Sequence, residues 1–152
     1  MFRVLLSLLC LCALQACGVR VPIVRFTGAE VSQSTAEAIA LRAEFEISNT
    51  NDEPLRLKFY EYTVHADGHT VYRGRISPGL TVPRWTTVES HIPIVIRREN
   101  LTSVGTLTVW KLSGTLSYYP PSAIADTLMN LGIWQPKTSV RAQDEFEVPR
   151  IN

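Results

Sequence analysis

The chain is predicted to fold as an all-β sandwich carrying one short helix. Apolar side chains recur at every second position over several separate stretches, turn-forming residues stand between those stretches, and only one segment has helical spacing. At 152 residues a single domain is expected.

The clearest strand is Ala38 to Ile47, where Ile39, Leu41, Ala43, Phe45 and Ile47 share one face and Ala40, Arg42, Glu44 and Glu46 the other. Asn49 to Pro54 then forms a turn, because the short amide and carboxylate side chains bond to nearby backbone and Pro54 disfavours helix at Glu53. In the next strand, Leu55, Leu57 and Phe59 have one parity and Tyr60, Tyr62 and Val64 the other. A β-bulge near Phe59-Tyr60 reconciles them. Asp67-Gly68 reads as a type I′ hairpin turn joining this strand to Thr70-Val71-Tyr72.

Gly79 and Pro83 punctuate a loop, after which Val88, Ser90, Ile92, Ile94 and Ile96 alternate, with Pro93 facing away and suited to an edge. Thr108, Trp110, Leu112, Gly114, Leu116 and Tyr118 mark another strand, and Ser139 to Val148 a weaker last one. Between them, Ser122 can cap a helix of about three turns that presents Ile124, Leu128 and Leu131 on one face and ends at Gly132. Such a helix either plugs one end of the sandwich or forms a gate, through Ile124, Leu128 and Leu131, over an apolar cavity.

The N-terminal stretch reads as an address. Arg3 precedes an apolar run from Val4 to Leu14, too short to span a bilayer but of the length of a secretory h-region. Leu14-Gln15-Ala16-Cys17-Gly18 resembles the bacterial lipobox, which implies removal of residues 1–16 and attachment of a diacylglyceryl group and an N-acyl chain (palmitate-type lipidation) to Cys17. An ordinary signal peptide with an incidental cysteine is the competing reading. Gly18, where an inner-membrane retention signal would carry Asp, points to the outer membrane, facing the periplasm. Cys17 would then be the only cysteine of the mature chain, leaving its apolar core to hold the fold without disulfides. Residues 17–25 read as a lipidated tether and 26–150 as the folded domain.

The order of features between Phe26 and Pro149 resembles the LEA type 2 family, also called the water-stress and hypersensitive-response (WHy) domain. The residues that carry the likeness include Phe45-Glu46-Ile47-Ser48-Asn49-Thr50-Asn51, Pro54-Leu55, Val64, and Gly68 to Gly74. Ile92-Pro93-Ile94-Val95-Ile96, Leu112 to Tyr118 and Phe146-Glu147-Val148-Pro149 complete it. Asn49-Thr50-Asn51 stands where the family has Asn-Pro-Asn, so Thr replaces Pro. The resemblance implies an immunoglobulin- or fibronectin-like sandwich, a link to desiccation and other stress, and no catalytic residues to transfer.

The chemistry-bearing residues support that expectation of a non-enzyme without cofactor. Fifteen Lys and Arg balance fourteen Asp and Glu, and removal of Arg3 makes the mature domain formally neutral, which leaves no basic surplus for nucleic acid. His65 and His69 flank the hairpin turn. With Ala66 opposite His69, the two imidazoles project to opposite faces and cannot share a metal. Asp52-Glu53 lacks the spaced ligands of a calcium loop and is read as part of the turn. No nucleophile motif or phosphate-cradling loop is present. Trp85, Trp110 and Trp134 with Tyr60, Tyr62, Tyr118 and Tyr119 could form a glycan-stacking surface, but core packing accounts for most of them.

These readings favour a lipid-anchored, stress-associated envelope domain that acts by binding or protecting. The alternatives are a carrier of a lipid or other apolar ligand between the sheets and an accessory subunit of an envelope complex.

Overall fold

The computed structural model describes residues 19–101, 107–121 and 123–149, and it shows two antiparallel sheets with one short helix. The strands are β1 (Ile23–Ser34), β2 (Ala38–Ser48), β3 (Leu55–Ala66), β4 (His69–Ile76), β5 (Thr81–Val82), β6 (Thr87–Arg97), β7 (Leu107–Tyr119) and β8 (Lys137–Glu147). The helix, α1 (Ala123–Asn130), joins β7 to β8. One sheet has the order β1-β2-β6, the other β4-β3-β7-β8, with β5 adding to the start of β3.

The alternating patterns become the core. Ile39, Leu41, Ala43, Phe45 and Ile47 of β2, beside Ile92, Ile94 and Ile96 of β6, face Tyr60, Tyr62 and Val64 of β3 and Trp110, Leu112 and Leu116 of β7 in one buried cluster. Phe26 of β1 packs against both Phe45 and Trp110, with ring centroids 5.6 and 6.0 Å apart. Two tyrosines tie the sheets: the Tyr60 hydroxyl donates to Ser90 Oγ at 2.9 Å, and the Tyr62 hydroxyl donates to the Pro93 carbonyl. Pro93 sits on β6, an edge strand, as its missing N–H requires.

The parity switch in β3 is a bulge: Leu57 pairs with Tyr118 and Phe59 with Ser117, so Lys58 is the extra residue and every side chain beyond it changes face. The hairpin turn has φ of 50° at Asp67 and 80° at Gly68, the positive pair that a type I′ turn demands. At the end of α1, the Gly132 and Ile133 amides donate to the Met129 and Leu128 carbonyls, both at 3.0 Å, with φ of 70° at Gly132. That is a Schellman cap.

Three features differ from expectation. The helix has eight residues, about two turns instead of three. Strand β1 begins at Ile23, so Ile23 to Arg25 of the stretch read as tether are paired with β2. Strand β1 as a whole was not expected, because register shifts after Phe26 and Val31 break its period: Val24 and Phe26 face the core on one parity and Ala29 on the other. A two-residue strand such as β5 has too few positions to show a period at all.

Candidate functional site

Asn49, the most deeply buried polar residue among those described, lies at the end of the sandwich where the chain enters. The turn between β2 and β3 folds inward there, burying Asn49 and Asn51. The Asn49 amide donates to the carbonyls of Glu53, Val82 and Pro83 at 2.8 to 3.2 Å, and its Oδ1 accepts from both the backbone and the side-chain nitrogen of Asn51 at 2.9 and 2.8 Å. The first of those Asn51 bonds closes an Asx turn. Asn51 in turn grips the incoming chain: its Oδ1 accepts from the Arg20 amide at 2.7 Å and its Nδ2 donates to the Arg20 carbonyl at 2.9 Å. A second tie follows, from Thr138 Oγ1 to the Pro22 carbonyl at 3.3 Å. Two buried asparagines thus lock the β2–β3 turn, the Val82-Pro83 segment and the N-terminal segment to one another.

Around this lock several large apolar side chains are exposed. Trp85 adopts a left-handed backbone with φ of 54° and is 58% exposed, its indole N–H donating to Asp52 at 3.1 Å and its ring lying 5.7 Å from the Arg20 guanidinium. A bulky residue at positive φ carries backbone strain. Leu131, Ile133 and Trp134, between α1 and β8, are exposed, as are Val21 and Ile23. All of them belong to this end: β3 starts here against Val82 and Tyr119, and the Pro136 carbonyl accepts from the Tyr118 amide. On the adjoining outer face of β3, Arg56 and Lys58 flank the Tyr119 ring, 4.1 and 5.4 Å from its centroid, and Arg75 lies 3.9 Å over Phe59.

The residues singled out in the sequence are distributed as follows. Cys17 lies outside the described residues, as does the side chain of Ile124. Of the other two gate positions, Leu128 is half-buried and Leu131 exposed. Four surface depressions of about 250 to 380 Å³ are lined by other residues. The most apolar of them opens between Phe26, Lys111 to Ser113 of β7 and Arg141 to Gln143 of β8. Ala66 stands opposite His69, and His65 pairs one step on with Thr70, whose Oγ1 is 3.3 Å from its ring nitrogen. His91 is on β6, beside Arg42. The three histidines are therefore not brought together. Among the described residues no group of three or more His, Cys, Asp or Glu is placed to hold a metal ion.

The aromatic set divides. Tyr60, Tyr62, Tyr118 and Trp110 are core residues, Tyr119 is half-exposed on the opposite face from Tyr118, and Trp85 and Trp134 are exposed. Burial pushes the hydroxyls of Tyr60, Tyr62 and Tyr118 above their usual titration range, and the neighbouring Tyr72 phenol adds to the effect on Tyr62. The exposed Trp85 and the Arg20 contact escaped the sequence reading because nothing local tells a tryptophan in a Pro-Arg-Trp loop from a core one.

Comparison with solved structures identifies the architecture. The chain superimposes on a candidate late embryogenesis abundant (LEA) protein solved in solution, with a TM-score of 0.67 at 14% identity, over 86% of this chain and 73% of that one. A second solution structure, of a protein from Arabidopsis thaliana, matches with a TM-score of 0.64 at 13% identity over 83% and 81%. A crystal structure of a protein from Archaeoglobus fulgidus matches with a TM-score of 0.54 at 13% identity over 88% and all of that chain. The fold is shared with these proteins. No protein-family model and no curated protein sequence matches the chain.

Proposed function

We propose that this chain is a non-catalytic domain of the bacterial cell envelope, anchored by lipid on Cys17 to the outer membrane on its periplasmic side, and that it acts under desiccation and related stress by binding or protecting other molecules. The observation that carries the stress reading is the fold held in common with the candidate LEA protein over 86% of this chain. The lipobox-like Leu14 to Gly18 supports the anchor. Three acyl chains, each stabilised by about 0.8 kcal/mol per buried CH₂, hold a protein to a bilayer almost irreversibly.

The non-catalytic reading is supported by how the charged side chains are placed. Glu46 pairs with Arg25, Glu44 with Arg42, and Glu61 with Arg75 and Lys137, all at solvent-accessible positions on the outer faces of the strands. The core tyrosines Tyr60 and Tyr62, whose hydroxyls burial holds protonated, are committed to cross-sheet hydrogen bonds.

The test is survival of drying. A strain lacking the protein should recover fewer viable cells after desiccation, the wild-type chain should restore recovery, and the Cys17→Ser chain, released from the membrane fraction, should not. Unchanged survival on deletion sinks the stress reading, and tight membrane association of Cys17→Ser sinks the anchor. Native mass spectrometry of the domain, gently purified, distinguishes the carrier reading: a stoichiometric apolar adduct would displace the one proposed here.

A further inference from the structure

We infer that the end of the sandwich around Trp85 is a membrane-contacting surface, seated on the phospholipid headgroups of the leaflet that holds the anchor. Resting on the lipid anchor at Cys17 proposed above, the inference starts from a length. Arg20 is pinned through its backbone N–H and C=O to Asn51, and Cys17 is three residues earlier. Three residues span at most about 10 Å, and the headgroup region on each side of a bilayer is itself roughly 5–8 Å deep. A domain pinned at Arg20 therefore cannot stand away from the surface; the end bearing Arg20 must lie against it.

That end has the composition such a contact needs. Of the ten large hydrophobic residues exposed among the described ones, six are here: Val21, Ile23, Trp85, Leu131, Ile133 and Trp134. The other four, Val31, Val95, Leu107 and Val109, lie further along the strands. Two of the six are tryptophans, whose amphipathic rings settle at the headgroup level. Arg20 and Arg84 flank Trp85 and suit lipid phosphates, while the Asp52 carboxylate is taken up by the Trp85 N–H. The strained backbone at Trp85 fits the same role, because it turns a large ring outward where a relaxed loop could fold it onto the core.

The experiment uses the full lipidated chain in vesicles of phosphatidylethanolamine and phosphatidylglycerol, with or without bromine near the top of the acyl chains. Bromine quenches only indoles at the headgroup boundary, so emission should fall by roughly half, Trp85 and Trp134 being two of three tryptophans. In the Trp85→Phe/Trp134→Phe chain the remaining Trp110 is fully buried and its emission should not respond. A chain that floats with the vesicles as a monomer yet shows no quenching overturns the contact and leaves the anchor standing. Flotation without quenching, together with a cross-linked dimer, overturns it in favour of a second copy covering this end. A chain that does not float removes the anchor, and the contact with it.

Discussion

The two ends of the sandwich solve the same problem, closing the strand pairs, with opposite chemistry. At the far end β3 turns into β4 through Asp67-Gly68, two exposed residues with the positive φ of a type I′ turn. At the near end the β2–β3 turn buries Asn49 and Asn51 and binds two other segments, and apolar side chains stand in solvent around it. The first needs only a local sequence. The second is held by partners 30 or more residues away, and an end so rigidly tied is suited to present a fixed surface.

The core between the ends sets the scale for perturbing either. Phe45→Ala should cost roughly 3–5 kcal/mol, as burial is lost and a cavity forms beside Phe26, while Glu44→Ala, on the outer face, should cost little. Equal shifts in the two denaturation midpoints would invert the faces of β2. Next in size comes Asn49→Ala, which strands several buried carbonyls and the Asn51 side chain and should cost about 3 kcal/mol. It should also raise amide exchange around Arg20, the readout that separates a lock from a mere turn. Protection unchanged at Arg20 would show that the chain is held there by other means.

Tyr62→Phe should cost about 0.5–1.5 kcal/mol through the bond to Pro93, and it carries a pH signature. Because burial raises the folded-state tyrosine pKa above the unfolded value of 10.0, stability is complete below pH 10 and falls as pH rises beyond it. The variant should lose part of that alkaline decline in urea titrations. At the hairpin, Gly68→Ala places a Cβ at φ of 80° and should cost about 1 kcal/mol, without effect on protection at the near end. The smallest effect is expected for His65→Ala, His69→Ala and His91→Ala combined. Desiccation survival should be unchanged, and loss of survival by a folded triple variant would reveal a histidine-dependent site.

Strands β2, β3, β6, β7 and β8, the bulge in β3, the hairpin and the cap of α1 were legible in the sequence because each is written in a local signal. A buried face repeats every second residue, a parity switch marks an inserted residue, and a positive φ selects Asp-Gly or Gly. The Asn49 to Asn51 turn was legible as a turn. Strand β1, the order of strands in each sheet, the pairing of Asn51 with Arg20 and the exposure of Trp85 were decided only in three dimensions. Bulges erase the period of β1, and an asparagine in a turn reads alike whether its partner is water or a carbonyl many residues distant. The gathering of six exposed apolar side chains at one end likewise has no trace in local sequence. It arises because β1, β5, β7 and α1 happen to start or finish there, which is a property of topology.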